Sequence, residues 1–240
     1  MGICSINLFN GEKKELNKQH EHVKNVYSVR TIDQQQVRFE VETMMPTIHG
    51  IFRTRVYLDL AETPIQHIVM ISTFCDYRSS SNLAPYVRIH SECLTGEIFG
   101  SLKCDCGPQL NAALDKINEV GGLLSYLRGH EGRSIGLVNK LRAYKLQDKS
   151  GFDTVDANVA LGFPADNRKY YAAAAILNDL GIVSFRLLTN NPDKVSQLEQ
   201  YGIIVVERIP LIVGENQFNK FYFDTKRDRM NHILPKVKST

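Results

Sequence analysis

The chain has 240 residues, 43% hydrophobic and 23% charged, with a net charge of +3 and five cysteines. This is ordinary soluble composition, enough for one large domain or two small ones with a real core. The mild charge gives no sign of a nucleic-acid surface, an odd cysteine count argues against a disulfide framework, and no apolar run approaches the roughly 18 residues that span a bilayer.

Residues 1 to about 30 are polar and uneven and read as a mobile or loosely docked extension. They lack the apolar core of a secretory signal. The start Met1-Gly2-Ile3-Cys4-Ser5 has the look of a myristoylation signal, but its serine falls one place early. Unpaired, clustered cysteines fit a reducing compartment, so a cytoplasmic location is expected. Alternation of apolar and polar residues predicts strands over 37–42 and 50–60, separated by a break at 44–47 that contains Pro46. The apolar run 66–73 predicts a third, more buried strand, and 76–85 reads as a loop. Residues 87–90 form a strand that ends at a cysteine loop. The first half therefore reads as antiparallel and strand-rich.

The second half changes character. Gly107-Pro108 opens a helix over 108–119, with Leu110, Ala113, Leu114 and Ile117 on one face and a stop at Gly121-Gly122. Residues 123–127 read as a strand and 128–136 as a glycine-rich loop. Helices are predicted over 137–147, 172–180 and 194–200, and strands over 183–188 and 203–208. Residues 214–240 are polar and basic, with helical spacing at 224–230 before an exposed tail. The expected fold is α+β or mixed α/β: an antiparallel N-terminal half, then a mixed α/β layer, in a single catalytic domain.

Three cysteines, Cys93, Cys104 and Cys106, fall within fourteen residues. Thiolates converging from a loop and a later turn suit Zn²⁺, and a three-protein-ligand site leaves the fourth place to water. His90 is the rival fourth ligand. Free cysteines are also common as small buried residues, and Cys-x-Cys alone does not decide between the two. Gly132, Arg133 and Gly136 follow a strand and suit an anion, since glycine exposes backbone N–H groups and arginine clamps oxygens; a turn with solvated arginines is the plainer reading. Thr189 to Lys194 lies between a strand and a helix, a second place for an anion or simply a helix cap. Asp166 and Arg168 read as a surface ion pair or as an acid near a reacting water. Tyr144 lies on a helical stretch, where most tyrosines are packing. His49, His67 and His232 are isolated.

These residues carry a wider resemblance. From about Pro46 to Leu234 the chain resembles GTP cyclohydrolase II, the enzyme that opens riboflavin biosynthesis. The shared strings are R-x-H-S-E-C-L-T-G at 88–96, S-L-K-C-D-C-G at 101–107, E-G-R-x-I-G-L at 131–137, R-A-Y at 142–144, D-T-V-D-A-N at 153–158 and L-G-F-x-A-D at 161–166. L-T-N-N-P at 188–192, E-R-I-P-L at 207–211 and D-T-K at 224–226 complete them in order. Many members read arginine-glutamine-glutamate-glycine-arginine where this chain has Arg128-Gly129-His130-Glu131-Gly132-Arg133.

The resemblance implies a hydrolase that opens the imidazole ring of GTP and releases formate and pyrophosphate. The product would be 2,5-diamino-6-ribosylamino-4(3H)-pyrimidinone 5′-phosphate. It implies one Zn²⁺ per subunit on Cys93, Cys104 and Cys106, Mg²⁺ with the triphosphate, and a homodimer, with neither nucleic acid nor membrane as a partner. Substrate contacts would fall on Arg88, Ile89, His90, Ser91, Glu92, Gln109, Glu131, Gly132, Arg133, Thr154, Thr189 and Lys194. The proton acceptor would fall on Asp166, the nucleophile on Arg168 and a ring-side tyrosine on Tyr144. Guanidinium has no free lone pair, so a phosphate clamp is the simpler role for Arg168. The expected layout is an extension over 1–40, a catalytic domain over 41–234 and a tail over 235–240, with no fused dihydroxybutanone-phosphate synthase half. Two other outcomes stand beside this one: a paralogue that stops at the formamidopyrimidine, and a non-catalytic nucleotide-binding zinc protein.

Overall fold

The structure, a computed structural model, describes residues 29–61, 63–75 and 84–236. The expectations for residues 1–28, for most of the 76–85 loop and for 237–240 lie outside these. The chain begins with three antiparallel strands, β1 (Val37–Thr47), β2 (Gly50–Asp59) and β3 (Ile65–Ser72). β2 is covered mainly on one side and alternates accordingly, whereas β1 is largely exposed beyond Val37 and β3 is buried on both sides from Val69 to Ser72. β1 runs through Pro46, where the sequence reads as a break; Pro46 stands opposite Ile51. β1 is the edge of the sheet, and a missing N–H is tolerated on an edge. Ile48 and His49 turn the chain into Gly50, whose φ is 127° and where a Cβ would lie 2.4 Å from Asn118 Oδ1. Only glycine fits there.

Four further strands are mutually parallel: β4 (Tyr86–Ser91), β5 (Leu123–Leu127), β6 (Ser184–Leu188) and β7 (Ile204–Ile209). β5 also pairs antiparallel with β3, which joins both groups into one seven-stranded sheet in the order β1-β2-β3-β5-β4-β6-β7. The fold is thus mixed α/β as expected, but the antiparallel part ends one strand sooner. β4 is parallel to both neighbours because helices carry the chain between them, and a parallel return needs such a crossover.

Helices α1 (Leu94–Glu97) and α2 (Cys106–Val120) lead from β4 to β5. Helices α3 (Glu131–Ser134), α4 (Gly136–Ser150), α5 (Thr154–Ala160) and α6 (Tyr171–Asp179) lead from β5 to β6. α7 (Pro192–Glu199) joins β6 to β7, and α8 (Lys220–Arg229) follows. None of these helices is long and apolar enough to cross a membrane. Residues of alternate parity feed two cores. Val69, Ile71, Leu123 and Leu127 pack with α6, whose Ala172 to Leu177 are all buried. Met70 and Leu124 pack on the opposite face with Ala113, Leu114 and Ile117 of α2.

The chain leaves β4 toward β5 on one side and later reaches β6 on the other. The carboxyl ends of the parallel strands around such a reversal form a natural crevice. The segments at those ends are the motif segments: Glu92-Cys93 after β4, Arg128 to Arg133 after β5, and Thr189 to Asn191 after β6.

Candidate metal centre and anion cleft

The Sγ atoms of Cys93, Cys104 and Cys106 all lie within 4.8 Å of one another. Cys93 sits just ahead of α1, and Cys106 opens α2. The turn between them is tight: a Cβ on Gly96 would come within 2.7 Å of Cys104 Sγ, and one on Gly107 within 2.4 Å of the Gly96 carbonyl. Cys93 Sγ and Cys104 Sγ are 3.7 Å apart. A tetrahedral ion with metal–sulfur bonds of about 2.3 Å holds its sulfurs about 3.8 Å apart, so this donor set fits zinc. Among the described residues no fourth His, Cys, Asp or Glu atom joins the group.

The trio shares charge unequally. Hydrogen bonds from Cys104 and Cys106, aided by the Lys140 ammonium, draw the Cys93 thiol far down. Cys104 is pulled down by Cys106, but its bond to Cys93 and its burial outweigh this and push it up to about 11. Bonds with Cys104 and Cys93, then burial, push Cys106 up as well. Of the three, Cys93 is the thiol drawn toward its thiolate. Lys140, from α4, donates to Cys93 Sγ at 3.1 Å, to Thr95 Oγ1 at 2.8 Å and to Glu131 Oε1 at 2.5 Å. Glu131 Oε2 accepts the Leu94 backbone N–H at 2.6 Å. Burial lowers the Lys140 pKa, yet Tyr144, Cys93 and Glu131 together raise it.

His90 is not a ligand in waiting. It is buried, and Arg88 Nη2 donates toward its Nδ1 at 3.4 Å. Nδ1 is therefore the acceptor, and Nε2–H donates to Glu97 Oε1 at 2.9 Å. Burial, then Arg88 and Lys194, hold the ring well below its ordinary pKa. The Tyr126 hydroxyl donates to the other Glu97 oxygen at 2.5 Å. Burial, with Cys93 and Glu131 nearby, raises the Glu97 carboxyl from 4.5 to about 8 despite the Tyr126 bond. A carboxyl that keeps its proton longer folded than unfolded stabilises the fold below 4.5 and loses that contribution as pH rises to about 8. We therefore expect the metal-free protein to lose stability across that window, by about 1.4 kcal/mol for each pH unit at most. Chemical unfolding at pH 5 and pH 8 measures it, and Glu97→Gln flattens the slope. An unchanged slope in that variant would place the titration elsewhere.

Beyond the sulfurs the cleft is cationic. Arg88 is 5% exposed and donates to the Leu188 carbonyl at 2.9 Å and to Gln109 Oε1 at 2.7 Å, while its Nε has no partner. Gln109 in turn donates to Asp105 at 2.5 Å, and Asp105 pairs with Lys226 of α8 at 2.7 Å. Lys194, on α7, is 4% exposed and donates to the Ile89 carbonyl at 2.6 Å. Burial, then Arg88 and Arg168, push Lys194 well below its ordinary pKa. Burial likewise holds His130 down to about 3, with Arg168 and Lys194 adding to it. His232, buried beside Lys226, is held at about 2. So many cations facing one another demand an anion.

Arg168 grips Asp166 with Nε at 2.9 Å and Nη2 at 2.5 Å. Burial opposes ionisation of Asp166, but the Arg168 bonds and charge win and hold its carboxyl low. Arg168 Nη1 reaches Ser91 Oγ at 3.5 Å, and Ser91 meets His130 Nδ1 at 3.0 Å. Gly132 and Arg133 have φ of 60° and 63°, so the short α3 keeps the character of the expected glycine-rich loop. Arg133 is not a solvated turn residue: Nη1 donates to the Ala165 carbonyl at 3.2 Å, and its Nη2 is buried without a partner.

The family model of GTP cyclohydrolase II matches residues 38–210. The chain belongs to the GTP cyclohydrolase II family. It is 49% identical over 213 residues to riboflavin biosynthesis protein RibBA of Salinispora arenicola, covering 88% of this chain and 49% of that one. Likenesses of 50% and 51% hold to the proteins of the same name from Nocardia farcinica and Mycobacterium avium, covering 84% and 80% of this chain and 47% and 45% of theirs. The chain spans about half the length of these curated relatives. A two-domain 3,4-dihydroxy-2-butanone 4-phosphate synthase from A. baumannii matches at 15% identity with a TM-score of 0.37, covering 86% of this chain and 50% of that chain, too weak a likeness to carry an argument.

The GTP cyclohydrolase II domain gathers most of the expected residues in one cleft: Arg88, His90, Ser91, Glu92, the three cysteines, Gln109, Gly132, Arg133, Tyr144, Thr154, Arg168, Thr189 and Lys194. Three stand back from it. Ile89 is fully buried in the core, and only its carbonyl serves the site, through Lys194. Glu131 lies behind Lys140, and Asp166 behind Arg168. The cleft also holds groups to which sequence reasoning gave no site role, Lys140, Asp105, Tyr222 and Lys226, together with Asn190 and Asn191 of the expected 189–194 anion segment and His232, which read as isolated. Lys226 had a signal, since it ends the D-T-K string. Lys140 had none, because a lysine on an amphipathic helix reads as solvated.

Proposed function

We propose that this domain opens the imidazole ring of GTP at C8, releases formate, and cleaves pyrophosphate from the α-phosphorus. The product is 2,5-diamino-6-ribosylamino-4(3H)-pyrimidinone 5′-phosphate, and the pathway is riboflavin biosynthesis, the process that the relatives' names carry. The observation behind this reading is one cleft lined both by three convergent sulfurs and by the cations Arg88, Arg133, Arg168, Lys194 and Lys226. Cys93, Cys104 and Cys106 would hold a zinc ion. Its Lewis acidity makes a potent nucleophile of water at neutral pH. The cations would take the triphosphate, and Mg²⁺ would supply further charge neutralisation there.

The chain's own groups fall into roles around that. Arg88 and Lys194 contact phosphate oxygens as buried donors. Arg168 is bound in two places to an ionised Asp166, so it clamps the α-phosphate and does not attack it. Asp166 orients that clamp from behind. Burial pushes the Tyr144 hydroxyl up to about 12, so it stays protonated and donates to the departing nitrogen or the formyl oxygen. Three waters are consumed, two at C8 and one at the α-phosphorus. Thr154 and Thr189 complete the cleft wall. The exposed apolar residues Val41, Met44 and Ile51 on the β1–β2 hairpin support a homodimer.

Zinc-loaded protein with GTP and Mg²⁺ is expected to give formate and pyrophosphate in equal amounts, with the diaminopyrimidine seen by mass spectrometry. A product that retains the formyl group would mean that the domain stops at the formamidopyrimidine. Intact GTP would remove the enzymatic reading.

A further inference from the structure

We propose that Glu131 and Lys140 are a positioning pair for the metal centre, fixing the Cys93 sulfur. The inference rests on the reading of the three cysteines as a zinc site. Glu131 is 8% exposed and has both oxygens occupied. Oε1 accepts from Lys140 Nζ at 2.5 Å and from the Gly132 N–H at 3.1 Å, and Oε2 accepts from the Leu94 N–H at 2.6 Å. Three of the roughly four acceptor positions of the carboxylate are thus taken by the chain itself.

Lys140 is equally committed. An ammonium has three protons, and the three acceptors at hand are Cys93 Sγ, Thr95 Oγ1 and Glu131 Oε1, at 3.1, 2.8 and 2.5 Å. Together the two side chains hold Cys93, Leu94 and Thr95 in succession, from α3 and α4. A Cβ on Gly132 would meet Lys140 Cβ at 2.9 Å, so the glycine lets the α3 turn close onto the lysine. An N–H donor on a ligating sulfur fixes its direction and withdraws density from it, which leaves the ion a stronger Lewis acid. Such outer contacts are typically worth about 10- to 100-fold in metal affinity or activity.

The test compares wild type with Lys140→Met, Lys140→Arg, Glu131→Gln and the milder Thr95→Val. Zinc affinity is read by chelator competition, and Co²⁺ substitution by its sulfur-to-cobalt charge-transfer band. Circular dichroism of each metal-free protein checks folding. Lys140→Met and Glu131→Gln are expected to lose about 10- to 100-fold in zinc affinity and to shift the cobalt band. Lys140→Arg, which keeps donors and charge, should restore part of the affinity, and Thr95→Val should shift the band alone. Wild-type metal affinity and an unmoved band in the Lys140→Met and Glu131→Gln variants would overturn the proposal. A wild-type protein that takes up neither Zn²⁺ nor Co²⁺ would instead overturn the metal reading itself.

Discussion

Cys104→Ala is expected to strip the metal from the protein and to lower turnover of GTP by about a thousandfold or more. Zinc bound by cysteine and histidine is worth about 10–16 kcal/mol in small domains. One of three protein ligands therefore carries several kcal/mol, and about 1.4 kcal/mol is a factor of ten. Cys104 suits the experiment because its neighbours tolerate a smaller side chain. It is 5% exposed and touches Gly96, which has no side chain of its own, so alanine leaves a small gap and creates no clash. Cys75 is also buried, but it packs in the core on the α6 face of the sheet. Cys75→Ala is the control and should keep full metal content. Atomic emission gives zinc per chain, and formate release gives turnover. Full zinc and full turnover in Cys104→Ala would refute the three-sulfur centre.

The sequence made parts of this architecture legible and hid others for physical reasons. The strand pattern in 50–60 was plain because β2 buries residues at a period close to two, and 66–73 because β3 is a short apolar run buried on both faces from Val69 to Ser72. β1 was cut short at Pro46 because a proline reads as a breaker until its edge position is known. The pairing direction of β4 was hidden, since parallel pairing depends on crossovers and not on the strand's own residues. Helices α1, α3 and α5 are four, four and seven residues long, too short for a period to show. In the site, residue type announced the cysteines. It did not announce the division of labour behind them. Glu131, Lys140 and Asp166 look like surface charges in the sequence, and each is instead turned onto a neighbouring functional group.

That division has an energetic side, which Lys194 brings out most clearly. Its ammonium is buried, no carboxylate pairs with it among the described residues, and Arg88 and Arg168 repel it. A cation so placed weakens the empty fold and is useful only once an anion arrives. Lys194→Met keeps the length of the side chain and removes the charge. Replacing buried charge with packed apolar atoms is often stabilising by about 1–4 kcal/mol. For a domain of this size each kcal/mol shifts Tm by roughly 2–4 °C, so the variant should melt several degrees higher than wild type in the absence of nucleotide. The opposite holds for binding. Loss of one member of a buried charge pair costs about 2–5 kcal/mol, so affinity for a non-hydrolysable GTP analogue should fall by about a hundredfold or more. Scanning calorimetry and titration calorimetry on the same two proteins read both effects. A lower Tm would show that the Ile89 contact outweighs the repulsion, and unchanged analogue binding would show that the triphosphate lies elsewhere. A rise in stability with a fall in affinity is the signature of a side chain kept for its ligand and not for the fold.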